Sequence, residues 1–204
     1  MLGRKCENLV DIGFIVDSSG SLRREYGKEK DFVKSLARSF NISANGSRAG
    51  AITFSWHAEH SIKLNDHREL GGFLTAVDNL PMFGHTTRID KALSMAKSDM
   101  FTRENGGRAG VPKLIILLTD GSQTKDADAT DPGRIAEELR KMGIKLIVIG
   151  IGKNVNGKEL LHMAGDVSNV YQASNFDELS SSGFVGRVSR SSCKQSKRDR
   201  EREP

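Results

Sequence analysis

The tightest constraint on this chain is a set of apolar runs that leave no wet face. Leu114-Ile115-Ile116-Leu117-Leu118 and Leu146-Ile147-Val148-Ile149 are apolar at every position, and residues 9–16 break the pattern only at Asp11 and Gly13. A strand with one solvated face alternates, whereas strands buried on both faces read as continuous apolar stretches typical of parallel sheets. Between the runs lie segments of helical period. Residues 24–40 carry Phe32, Val33, Leu36, Ala37 and Phe40 on one face, and residues 89–100 carry Ile89, Ala92, Leu93 and Ala96. Further strands are expected at 49–54, 61–64 and 170–171, and further helices at 67–79, 134–142, 158–164 and 176–190. Strands alternating with helices build βαβ units. The expected fold is α/β, a doubly wound and mostly parallel central sheet with helices on both faces, in one domain over residues 9–190.

Charge narrows the function classes. The chain has 204 residues, 37% of them apolar, and a net charge of +5. Residues 187–204 hold seven Lys/Arg against three Asp/Glu, so that tail accounts for nearly the whole excess. The basic balance therefore describes a connector, not a nucleic-acid-binding fold. No window approaches the roughly 18 apolar residues of a membrane span. Residues 191–204 are expected to be a disordered linker, with contact to an acidic polysaccharide as the alternative use of the tail.

Cys6 lies in the flank of residues 1–8, and Cys193 lies just past the patterned region. Their placement favours a disulfide tying the ends of the domain. Asn41-Ile42-Ser43 and Asn45-Gly46-Ser47 are glycosylation sequons, which together with the cysteines point to a secretory, oxidising route. Met1-Leu2-Gly3-Arg4-Lys5 has no apolar core of a signal peptide, so the expectation is a piece of a longer secreted protein.

In an open parallel sheet, ligands sit beyond the carboxyl ends of the strands, where strand order reverses. The first strand ends in Asp17-Ser18-Ser19-Gly20-Ser21, and the most apolar strand ends in Thr119-Asp120-Gly121. The loop Gly84-His85-Thr86-Thr87 opens a helix between them. Two carboxylates and several hydroxyls thus meet at one sheet edge. Oxygen donors select a hard cation, Mg²⁺ foremost with Ca²⁺ or Mn²⁺ as alternatives, and the absence of His and Cys argues against zinc. Asp and Ser after a strand also serve as helix caps and turn formers.

These residues resemble the von Willebrand factor type A domain family, in particular the matrix type found in matrilins and type VI collagen. Asp17-Ser18-Ser19-Gly20-Ser21 is similar to its signature, Thr87 before Ala92-Leu93 to its second element, and Leu117-Leu118-Thr119-Asp120-Gly121 to its third. The resemblance implies a metal-ion-dependent adhesion site. Ser19 and Ser21 would coordinate the ion through their hydroxyls, Asp17 and Asp120 directly or through water, and Thr87 in at least one state. Thr86 is the rival to Thr87. His85-Thr86 departs from the two glycines common in relatives, which stiffens that loop.

The implied function is extracellular adhesion. A protein partner, with collagen or another matrix component as the leading class, would complete the ion's shell with an Asp or Glu. No nucleophile turn of the Gly-x-Ser-x-Gly type occurs, so catalysis is not expected. A structural spacer and an intracellular module working with an ATPase remain the alternatives. Resemblance to integrin inserted domains adds a switch carried by the final helix. Trp56-His57-Ala58-Glu59-His60 lacks zinc-helix spacing and reads as a solvated hairpin. Trp56 is expected to pack on the sheet, a lone aromatic being no binding platform. Gly150-Ile151-Gly152 reads as a tight turn and not a phosphate loop.

Overall fold

The computed structural model describes residues 9–200, with side chains as far as residue 193. Six strands form one sheet in the order β3-β2-β1-β4-β5-β6. They are β1 (Asp11–Asp17), β2 (Arg48–Phe54), β3 (Ala58–Ile62), β4 (Lys113–Thr119), β5 (Ile144–Ile151) and β6 (Val170–Ala173). Every pairing is parallel except that of β2 with β3. The helices are α1 (Tyr26–Ala37), α2 (Leu70–Asp78), α3 (Ile89–Met95), α4 (Pro132–Lys141), α5 (Gly157–Ala164), α6 (Phe176–Leu179) and α7 (Ser182–Arg200). A π turn, Ala96–Met100, extends α3.

The apolar runs lie as their composition demands. Ile12, Phe14 and Val16 of β1 join Phe32, Phe73 and Phe184 on one face of the sheet. Ile15 joins Leu93, Leu117, Leu139 and Leu160 on the other. Period-2 alternation sends successive side chains to opposite faces, and helices cover both. Phe32 and Phe184 meet edge to face at 6.0 Å, anchoring α7 on α1. Burying each such ring contributes about 2–3 kcal/mol.

Three boundaries differ from expectation. β3 spans 58–62 and not 61–64, because it starts directly after a tight turn at residues 55–57. The helix expected at 176–190 is two helices parted at Ser180 and Ser181, where the Ser180 hydroxyl returns to Phe176 O at 3.2 Å. Hydroxyl side chains that bond nearby backbone compete with helix continuation. α7 then passes residue 190 and remains helical to Arg200, through the segment expected as a disordered linker. Lys, Arg and Gln favour helix, and no Gly or Pro interrupts residues 187–200.

The two ends of the sheet differ in use. At the amino ends of the parallel strands, Arg108 binds buried Asp11 through its guanidinium at 2.6 Å and reaches Gly46 O at 2.9 Å. Asn41 and Asn45 are exposed in the α1–β2 loop at this end. Cys193 is disulfide-bonded and packs against the core, beside the contact of Lys145 with Ser191 O. Cys6 lies outside the described residues. At the opposite end, β1 departs toward β2 on one side and borders β4 on the other, which is the switch point.

Candidate metal centre at the sheet's switch point

Asp17 and Thr119 close adjacent parallel strands, so their side chains meet. Thr119 Oγ1 donates to Asp17 Oδ2 at 2.7 Å, and Ser19 N donates to Asp17 Oδ1 at 2.8 Å. Asp17, Ser18 and Ser19 are almost wholly buried. Ser18 is turned away, with its hydroxyl donating to Phe54 O at 2.9 Å. That leaves the alternate residues, Ser19 and Ser21, with hydroxyls 3.3 Å apart. Ser21 Oγ donates to Asp120 Oδ1 at 2.9 Å. Four of the five expected ligands thus form one chain of contacts.

Thr87 reaches the same corner from the third loop. Its N–H and carbonyl both pair with Thr124, at 3.1 and 2.8 Å. A methyl group placed on Gly121 would lie 3.6 Å from Thr87 Oγ1. Thr86 is exposed and is held instead by its carbonyl, which accepts from Ser55 Oγ at 3.0 Å. His85 takes φ +70°, the left-handed conformation rare outside glycine. That conformation lets its carbonyl accept from Gly20 N at 2.9 Å, inside the serine motif.

The corner has excess negative charge. Among the described residues no Lys, Arg or His pairs with Asp17 or Asp120. Burial pushes the Asp17 carboxyl up to about 6, against the hydrogen bonds from Thr119 and Ser19, with the Asp120 charge adding to the rise. Burial raises Asp120 as well. Sequence reasoning missed a third carboxyl. Glu29 of α1 is fully buried with neither oxygen hydrogen-bonded, and burial together with the charges of Asp17 and Asp120 raises it well above the usual range. Hydroxyl and carboxyl oxygens with unbalanced charge fit a hard divalent cation, which would supply the missing counter-charge.

A second missed feature braces the loops. Arg88, 3% exposed, grips Asp90 through two bonds of 2.9 Å and reaches Asp128 at 2.7 Å and Asp126 at 3.1 Å. Asp90 also accepts from Thr130 N and Gln123 Nε2. The β4–α4 loop is thereby tied to the loop that carries Thr87. Trp56 corrects another expectation, since it is 52% exposed and does not pack on the sheet. The Trp56–His60 segment is otherwise the expected hairpin, and Gly152 turns back to bond Ala173 O.

Fold and corner together define a doubly wound α/β module whose sheet edge gathers carboxyl and hydroxyl oxygens, and known proteins share its fold. Residues 11–183 match the von Willebrand factor type A domain, and the chain belongs to that family. It is 34% identical to the human collagen alpha-5(VI) chain over 176 residues, covering 85% of this chain and 6% of the collagen. It is 28% identical to von Willebrand factor A domain-containing protein 2 of Xenopus laevis, covering 83% of this chain and 21% of the relative. The chain therefore spans only a small part of these curated relatives. Proximal thread matrix protein 1 of the mussel byssus superposes with a TM-score of 0.87 at 28% identity, covering 94% of this chain and 50% of the other. That structure has a zinc-occupied MIDAS motif, so the argument against zinc from oxygen donors does not hold for that relative.

Proposed function

We propose that this domain is a secreted, matrix-binding adhesion module that binds protein ligands through a divalent cation held by Asp17, Ser19, Ser21, Thr87 and Asp120. The observation that carries the reading is the corner itself. Asp17, Asp120 and Glu29 converge with no basic partner among the described residues, beside paired serine hydroxyls. A bound Mg²⁺, or Mn²⁺, Ca²⁺ or Zn²⁺ in its place, would supply positive charge there and leave a position for an outside carboxylate. Collagen or another matrix protein is the partner class, in line with the type VI collagen relatives. The site works by binding and not by catalysis.

The far end of the sheet supports an extracellular setting. Exposed Asn41 and Asn45 would carry glycans away from the cation edge, and a Cys6–Cys193 disulfide would close the domain there. The bonded state of Cys193 weighs against an intracellular, ATPase-linked role. The test is binding to immobilised collagen with and without chelator, beside Ser19→Ala. The reading expects chelator and variant each to weaken binding at least tenfold. Unchanged binding would leave the cation edge without a part in adhesion, and a melting shift with cation but no binding would define a spacer.

A further inference from the structure

Beside the cation corner stands a cluster of rings that the site itself does not use. Trp56 follows the carboxyl end of β2, so it shares the edge that carries Asp17. Its ring lies 4.5 Å from that of His57 and 6.3 Å from that of His85, and the His57 ring lies 4.2 Å from Phe83. The cluster is held from both sides. Ser55 Oγ donates to the carbonyls of Gly84 and Thr86, Arg88 N donates to Ser55 O at 2.8 Å, and Lys91 Nζ donates to Trp56 O at 3.2 Å. It is also continuous with the serine motif, because Gly20 N donates to His85 O and Gly84 N to Ser18 O.

We propose that Trp56, His57, Phe83 and His85 form an aromatic notch next to the cation, fitting a protein segment with an aromatic side chain beside its coordinating carboxylate. The proposal rests on the adhesion reading above. Three observations select that occupant. First, the chain's single tryptophan is 52% exposed at this edge while its neighbours are already ordered, so a ring docking there meets a prepared surface at small entropic cost. Second, the rings are angled, Trp56 lying at 52° to His57 and 82° to His85. Angled rings make a notch for one side chain in edge-to-face contact, not a flat platform for a stretch of sugars. Third, a guanidinium flanks it, favouring an acidic segment. Arg23 Nη2 lies 3.4 Å from a methyl group placed on Gly84, whereas Lys91, which bonds Trp56 O, already pairs with Asp128 at 3.7 Å. The left-handed backbone of His85 lies where notch and serine motif join, its carbonyl accepting from Gly20 N.

The test uses the whole chain and three capped peptides, Gly-Gly-Phe-Glu-Gly-Gly, Gly-Gly-Ala-Glu-Gly-Gly and Gly-Gly-Phe-Gln-Gly-Gly, titrated with Mg²⁺ present and followed by NMR shifts. Mn²⁺ binding is measured separately by electron paramagnetic resonance. The proposal expects the Phe-Glu peptide to bind about three- to tenfold more tightly than Ala-Glu. Phe-Gln should bind weakest of the three. Trp56→Ala and Phe83→Ala should each erase the Phe preference while leaving Mn²⁺ binding and Ala-Glu affinity unchanged. Equal affinities for Phe-Glu and Ala-Glu with Mn²⁺ binding intact would overturn the notch alone. A preference that survives both variants, or a sulfated oligosaccharide displacing the Phe-Glu peptide from Trp56, would also overturn it. Absence of Mn²⁺ binding would overturn the adhesion reading and the notch with it.

Discussion

Ser21 Oγ donates to Asp120 Oδ1 at 2.9 Å, joining residues 99 positions apart across the switch point of the sheet. The contact is made possible by parallel register. β1 and β4 are neighbours along their length, so loops leaving their carboxyl ends begin side by side. Ser19 and Ser21 then share one side of the turn while Ser18 is committed to Phe54. The strand order creates the site, and the motif fills it.

Arg88 should prove to be a principal brace of the cation edge. Its guanidinium is buried, and among the described residues Asp90 has no second cation partner. Arg88→Ala leaves Asp90 buried and unpaired, a loss of about 3–5 kcal/mol. For a domain of this size that lowers the melting temperature by roughly 6–20 °C, measurable by calorimetry. The sign with pH follows from the same pair. Against the rise that burial imposes, Arg88, Thr130 N and Gln123 hold the Asp90 carboxyl down to about 2. Asp90 therefore contributes stability above its unfolded value near 4, and that contribution is lost as pH falls toward 2. Asp90→Asn should flatten the stability slope in that window.

Glu29 should behave oppositely. Its folded carboxyl titrates well above the unfolded one, through burial first and then the charges of Asp17 and Asp120. Its favourable contribution is complete below about pH 4.5 and declines as pH rises toward the folded value. Glu29→Met, similar in volume and free of the unpaired carboxyl, should stabilise the cation-free domain at pH 7.5 by roughly 1–3 kcal/mol. Chemical denaturation at pH 4.5 and 7.5 checks this, with the larger gain at the higher pH.

The sheet was legible because continuous apolar runs at 113–119 and 144–151 admit few placements, and Asp17, Ser19, Ser21 and Asp120 follow directly on such runs. Glu29 was not, although its signal was present. It lies three residues from both Tyr26 and Phe32, on the buried stripe of α1, but a stripe counted by apolar residues passes over an acid. Arg88–Asp90 escaped for another reason. Neighbouring charges ordinarily read as a solvated face, and only tertiary closure by Asp126 and Asp128 makes the pair a core. Trp56 was misplaced because its ring meets His57 and His85 beyond the end of β2, loop contacts that periodicity in β2 and β3 does not report.

The disulfide is checked by intact mass under non-reducing and reducing conditions. A Cys6–Cys193 bridge predicts a gain of two hydrogens per chain on reduction and a lower melting point. In the chain-entropy account so long a loop contributes at most about 5 kcal/mol. An unchanged mass with both thiols alkylatable before reduction would contradict it.

Secretory expression should load glycan on Asn41, Asn45 or both. Asn41→Gln with Asn45→Gln should then remove the mass heterogeneity without altering cation binding, because the loop sits at the opposite end of the sheet from Asp17.

The central claim is that the five residues hold a divalent cation, and direct Mn²⁺ titration of the wild-type chain, Asp120→Ala and Ser21→Ala tests it most directly. The prediction is one site per chain in the wild type, displaced by excess Mg²⁺, with affinity reduced at least tenfold in both variants while their melting curves stay cooperative. Wild-type binding that survives both substitutions unchanged, or no binding by a folded wild-type chain, would contradict it.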